Sequence, residues 1–194
     1  TNVARNRLPV HNTLKVFPEV PSALICKSTG ETMWVIRYPG ENTYEYAIKP
    51  SPQANMKEYT LGDDGRIISG CLGDYAWFPT GRPWYIDAVR AGGPTWGRIY
   101  VWLREGKATT LGIPYTEPVL NDDGNVLGVI ISEMTLSDIS VYLQRLRVGK
   151  TGKAFILERS GDLVATSVGI RCMKDGVKRL GAVEASDAWI AQAS

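Results

Sequence analysis

The chain has 194 residues, 44% of them hydrophobic and 22% charged, with a formal net charge of +2. That length allows one large domain or two small ones, and the make-up is that of an ordinary globular protein. A balance so close to neutral, with no run of Lys or Arg, gives no basis for a nucleic-acid partner.

Three cysteines (Cys26, Cys71, Cys172) form no CxxC pair, and His11 is the only histidine. No metal site built mainly from Cys and His follows from that set, and no cofactor motif is present. The odd count leaves at least one thiol free; free buried thiols are expected, with a Cys26–Cys71 bridge as the alternative. No run of 18 apolar residues and no leader peptide are visible. The chain is therefore either cytosolic or a soluble piece of a longer protein, and its ends favour the second.

In chain order, Thr1–Val16 reads as the end of a helix, broken by Phe17-Pro18-Glu19-Val20-Pro21. Ser22–Cys26, Met33–Tyr38 and Tyr44–Ile48 read as strands rich in β-formers, separated by turns at Lys27–Gly30 and Pro39–Asn42. Met56–Leu61 and Arg66–Gly70 flank Gly62-Asp63-Asp64-Gly65, a hairpin signature. Pro83 suits a first helical turn, Tyr85, Ala88 and Val89 keep i, i+3, i+4 spacing, and Gly92-Gly93-Pro94 stops the helix.

Arg98–Leu103, Thr109–Leu120 and Asn125–Met134 read as further strands. Val126–Ile131 is apolar at nearly every position, which predicts cover on both faces. Thr135 and Asp138 predict a capped helix with a buried stripe of Leu136, Ile139, Leu143 and Leu146. After a break at Gly149–Gly152 come strands at Ala154–Glu158 and Leu163–Thr166, and a helix over about 180–192. Antiparallel strands with hairpin turns and short helices define an α+β pattern.

Phe78-Pro79-Thr80-Gly81-Arg82-Pro83-Trp84-Tyr85, with Ala88, resembles the RPWYxxA motif of double Cache (dCache) sensor domains. Ile113–Val119, Asp123–Val129, Thr135–Ile139, Gly152–Glu158 and Gly161–Ala165 resemble further segments of that family, in its order and spacing. The resemblance runs from about Phe17 to the C-terminus. It implies a PAS-like antiparallel sheet flanked by helices. Residues 1–16 would end a stalk helix, 17–147 would form the membrane-distal module, and 148–194 would begin a truncated membrane-proximal one. It further implies the periplasmic part of an inner-membrane receptor, whose output is a histidine kinase, a nucleotide or diguanylate cyclase, or a chemotaxis domain.

The resemblance also implies site residues. Arg82, Trp84, Tyr85 and Tyr100 match the amino-acid-binding branch by type and spacing, while Trp77 stands in place of a Tyr and Glu133 in place of an Asp. Arg82 at a helix N-terminus suits a carboxylate or phosphate, and Glu133, on an otherwise apolar strand face, suits an ammonium or a structural Arg. The ligand would be an amino acid, carboxylate or amine. Arg82 and Trp84 could equally brace their loop, and Trp77 and Trp102 could be packing residues. A non-liganded ectodomain that dimerises or docks a protein is the second reading, and a homodimer is compatible with both. The Asp63-Asp64 and Asp122-Asp123 pairs lie in Gly-containing turns, where Asp serves local hydrogen bonding, so they do not suggest catalysis. Gly149-Lys150-Thr151-Gly152 lacks the earlier Gly and the strand of a phosphate-binding loop.

Overall fold

The computed structural model describes residues 2–102, 109–175 and 177–192. The expected strand end at Leu103 lies outside them. Chain order gives α1 (Arg7–Val16), β1 (Ser22–Lys27), β2 (Thr32–Ile36), β3 (Tyr44–Lys49), β4 (Met56–Leu61) and β5 (Gly73–Tyr75). There follow α2 (Pro83–Ala91), β6 (Thr95–Trp96), β7 (Tyr100–Trp102), β8 (Thr110–Leu120), β9 (Val126–Thr135) and α3 (Leu136–Arg145). The chain closes with β10 (Phe155–Leu157), β11 (Leu163–Thr166), β12 (Met173–Lys174), β13 (Lys178–Arg179) and α4 (Ala188–Gln192). It divides into two compact units: Thr1–Arg98 with Ile113–Glu133, and Ile99–Gly112 with Met134–Ser194.

The first unit is built on a sheet in the order β5-β4-β3-β2-β1-β9-β8-β6. Register assigns its side chains to faces, because directly opposed residues point the same way. Ala23 opposes Val35, Val35 opposes Tyr46, and Ile25 opposes Met33. These belong to one apolar face, where Met33, Val35, Tyr46 and Leu61 bury against Val3 and Leu14 from the N-terminal helical segment. The Tyr44 hydroxyl donates to the Leu14 carbonyl at 3.1 Å, and His11 meets the Tyr44 ring edge-on at 5.0 Å. Gly65 closes the turn after β4 with φ +71°, and its Cα faces Leu8 and His11 so closely that no side chain fits.

The opposite face alternates apolar and polar residues although most of it is buried. Ser22, Thr32, Glu45, Lys49, Glu58 and Glu133 lie there beside Leu24, Cys26, Ala47, Val129 and Ile131. Polar groups are costly in such a place unless hydrogen-bonded. Glu58 accepts from the Tyr75 hydroxyl at 2.7 Å, and Lys49 donates to the Ala54 carbonyl.

In the second unit, β7 pairs with the first residues of β8, Tyr100 opposite Gly112 and Trp102 opposite Thr110. The Trp102 indole occupies the space a side chain at position 112 would need. Thr135 caps α3 in a reciprocal box: its Oγ1 accepts from the Asp138 amide at 3.0 Å, and its own amide donates to Asp138 Oδ2. β10 and β11 form a hairpin, as do β12 and β13. Arg179 ties the two together, donating to Glu158 and to the carbonyls of Asp162 and Leu163. Among the described residues no helix is long and apolar enough to cross a membrane.

Five expectations are corrected. Arg66–Gly70 turns back along the end of β4 but forms no regular strand: it makes one antiparallel bridge, Leu61 to Ile67, with Ile68 N donating to the Thr60 carbonyl, while β4 pairs with β3 and, at Met56–Glu58, with β5. The β9 segment Val126–Ile131 is not covered throughout on both faces: Val129 and Ile131 are buried, Ile130 on the opposite face is exposed, and so is Leu127 near the start of the strand. An apolar run cannot by itself show whether both faces are used. On α3, Leu136 and Leu143 are buried, but Ile139 is half-buried and Leu146, beyond the last turn, is exposed. The terminal helix breaks in two, a single turn at Ala182–Glu184 and then α4. All three thiols are free, but Cys71 is exposed while Cys26 and Cys172 are buried.

Candidate functional site

Three segments of the first unit meet on the polar-lined sheet face. The innermost pair is set by register: Ser22 on β1 stands directly opposite Glu133 on β9. Ser22 Oγ donates to Glu133 Oε2 at 2.6 Å and accepts from Trp34 Nε1 at 2.7 Å. One hydroxyl thus joins a carboxylate to an indole. Glu133 is 2% exposed, and burial pushes its carboxyl up from the ordinary 4.5 to about 7, a rise that the Ser22 hydrogen bond partly offsets.

Trp34 continues the cluster outward. Its ring stacks with Trp77, centroids 6.4 Å apart and planes 13° apart. Trp77 meets Trp84 at 6.2 Å and 38°, and Trp84 meets Tyr85 edge-on at 5.9 Å and 69°. Four aromatic rings therefore follow one another in a contiguous row. Trp34 and Trp77 are half-buried, whereas Trp84 and Tyr85 are buried. Burial raises the Tyr85 hydroxyl above its ordinary range, and pushes the Cys26 thiol on the same sheet face up to about 11.

The outer two rings are placed by α2. Pro83 takes the first helical position and Gly92 closes the helix in a left-handed conformation with φ 68°. Trp84, Tyr85 and Ala88 form its buried stripe, whereas Val89, the third residue of the predicted spacing, is exposed. Arg82 is the residue before the helix; its carbonyl accepts from the amides of Tyr85 and Ile86, and its side chain is exposed. Among the described residues its guanidinium makes no hydrogen bond or ion pair.

The structure thus gathers Trp77, Trp84 and Tyr85, and links them to Glu133 through Trp34 and Ser22. Arg82 is adjacent in sequence but turned to solvent. Tyr100, half-buried on β7, belongs to the second unit. Sequence reasoning missed Ser22 and Trp34. Their signal was the pairing of β1 with β2 and β9, which puts a small hydroxyl residue opposite the lone carboxylate of an apolar strand face.

The fold class these features define is a PAS-like α+β domain with a large antiparallel sheet, as in Cache-type sensory domains. No protein-family model matches the chain. Among solved structures it is similar to the extracellular domain of mmHK1S-Z2, described as a histidine kinase, with TM-score 0.57 and 11% identity over 99% of this chain and 66% of that one. It is also similar to Methyl-accepting Chemotaxis protein X, with TM-score 0.53 and 14% identity over 85% of this chain and 58% of that one. The ligand-binding domain of the amino acid chemoreceptor PctC of Pseudomonas aeruginosa matches with TM-score 0.48 and 16% identity, over 84% and 54%. The chain spans between about half and two thirds of the length of these structures.

Proposed function

We propose that this chain is the extracytoplasmic small-molecule sensing domain of a transmembrane signalling receptor, and that the ligand sits on the polar-lined sheet face of the first unit. One observation carries the reading: a buried carboxylate, Glu133, joined through Ser22 to a row of four aromatic rings. A sheet face used only for packing gains nothing from a carboxylate that burial holds at about pH 7. Perturbed acids beside aromatic walls are common at binding sites. The shared fold with extracellular sensory domains points the same way. Receptor output, whether kinase, cyclase or chemotaxis domain, belongs to a longer protein.

In this reading Trp77, Trp84 and Tyr85 wall the ligand and Glu133 faces its cationic group. Arg82, with its guanidinium in solvent, meets an anionic group at the rim. Residues 17–147 act as the sensing module and 148–194 begin the next.

The test is a thermal-shift screen of the chain against amino acids, small carboxylates, amines and purines. A ligand at 100 times its Kd stabilises by about 2.7 kcal/mol, a shift of a few degrees. A shift that survives both Trp84→Ala and Glu133→Gln removes the site assignment. A cooperative melt that no compound moves removes the sensor reading in favour of a protein-docking ectodomain.

A further inference from the structure

We infer that two copies of this chain associate face to face, with helix α1 of each lying on the sheet surface formed by β9, β8 and β6 of the other. That surface is on the face opposite the polar-lined one. Register shows where its cover ends. Ile130 on β9 stands opposite Ile25, and Ile25 opposite Met33, which packs with Val3 and Leu14 in the core under the N-terminal helix. Directly opposed residues share a face. Met33 is buried, Ile25 half-buried and Ile130 exposed, so the helix covers β2 and stops short of β9. β8 lies beside β9, and along it Thr116 and Pro118 are buried while Tyr115, Glu117 and Val119 are exposed. The polar-lined face is the closed one at β9, so by continuity the exposed set of β8 extends the surface of Ile130. Trp96 on β6 completes it: Trp96 opposes Tyr115, is itself exposed, and meets that ring edge-on at 5.1 Å. Contiguous exposed apolar surface of this kind marks an interaction site.

Shape and charge select a second copy as the occupant. On this face α1 is a ridge over one half of the sheet, and the uncovered strands are a recess beside it. About a two-fold axis between two copies, a ridge and a recess on one face fit each other twice, an isologous contact that closes. The ridge carries apolar side chains outward: Leu8, Val16 and, at its end, Phe17 are exposed. Its charge is of one sign, since residues 1–18 hold Arg5, Arg7 and Lys15 and no acid. The recess has the opposite sign, since residues 113–133 hold Glu117, Asp122, Asp123 and Glu133 and no Lys or Arg. Glu117, Asp122 and Asp123 are exposed and form no ion pair among the described residues. Recess against recess would set like charges together, whereas helix against recess pairs opposite ones.

Sedimentation velocity of the full chain reads the assembly. A dimer is expected at about 100 µM. Val16→Glu on the ridge and Ile130→Glu in the recess should each weaken it at least about tenfold. Glu117→Lys, which sets a cation before the basic helix, should weaken it as well. Each variant is checked for a cooperative melt, and Trp96→Ser stands in for Ile130→Glu if that variant does not fold. A cooperatively melting chain that stays monomeric up to about 1 mM overturns the inference. A dimer broken by Val16→Glu but indifferent to Ile130→Glu and Trp96→Ser also overturns it, because that is the result for helix against helix. So does a dimer that Glu117→Lys leaves unchanged or tightens, and so does assembly beyond a dimer, which a closed two-fold contact does not give. None of these results touches the sensor reading, which stands or falls on the ligand screen.

Discussion

Ser22 and Glu133 face each other across paired strands, and the Ser22 hydroxyl donates to the Glu133 carboxylate at 2.6 Å while accepting from Trp34 at 2.7 Å. One small side chain therefore supports both the acid and the first ring of the aromatic wall. Ser22→Ala removes the donor to a buried carboxylate and the acceptor of an indole N–H. Leaving such groups without that partner costs about 1–3 kcal/mol. Urea denaturation should show a loss in that range, and Trp fluorescence of the folded variant should shift as Trp34 loses its anchor. A loss below about 0.5 kcal/mol would mean that the hydroxyl is not the link.

The buried acid predicts a pH dependence of definite sign. The Glu133 carboxyl lies at about 7 in the folded chain against 4.5 ordinarily. Below 4.5 it is protonated in both states, so its contribution is fully present there. As pH rises the unfolded chain ionises first, and stability is lost until the folded group itself ionises near 7. Between pH 5 and 8 this amounts to roughly 2–3 kcal/mol. Glu133→Gln should remove that part of the pH dependence and leave the rest. Parallel curves for the two proteins would show that Glu133 does not titrate in the folded state as described.

Gly65 offers a check on how the N-terminal helix docks. A Cβ there would stand 2.7 Å from Leu8 Cδ2 and 2.9 Å from His11 Nδ1, on a backbone with φ +71°. Gly65→Ala is expected to destabilise by more than about 1 kcal/mol, from backbone strain and displaced packing together. Gly40→Ala has a comparable φ of +82° and no neighbour within 4 Å. The difference between the two melting temperatures measures the contact alone.

Thiol chemistry should separate the three cysteines. Cys71 is exposed, whereas Cys26 is buried with its thiol pushed up to about 11, and Cys172 is buried and raised in the same direction. Thiolate is the reactive species. An aromatic disulfide reagent at pH 8 should therefore titrate one thiol quickly in the native protein and three in denaturant. Two fast native thiols would contradict the burial of Cys26 or Cys172.

In the second unit, Thr135→Ala should cost about 1 kcal/mol through loss of the α3 cap, since Thr135 and Asp138 satisfy each other's amides. Thr135→Ser keeps the hydroxyl and should recover most of it. Unfolding followed by far-ultraviolet circular dichroism reads the comparison.

Local chemistry made much of this protein legible from its residues alone. Pro83 and Gly92 bracket α2 because one fixes φ for a first turn and the other accepts the left-handed closing conformation. Thr135 with Asp138 marks the start of α3 for a similarly local reason. The β-rich runs at 22, 33 and 44 became β1 to β3 because alternation and branching are properties of the strand itself. The aromatic residues around Pro83 stood out as site candidates through the resemblance of Arg82–Tyr85 to a sensor-domain motif, and Trp77, Trp84 and Tyr85 share one cluster.

What the tertiary structure alone decided was partnership. Strand order places β9 beside β1, 111 residues away in the chain, and only that pairing sets Ser22 against Glu133. Trp34 joins the wall because register turns it to the same face, which a one-residue slip would reverse. The same dependence explains the misread β9 run: hydrophobicity reports that a strand can be covered, but the neighbours that cover each face come from distant sequence. Residue type and spacing determine local geometry, while the buried acid's partners, and with them its charge, are fixed by long-range packing.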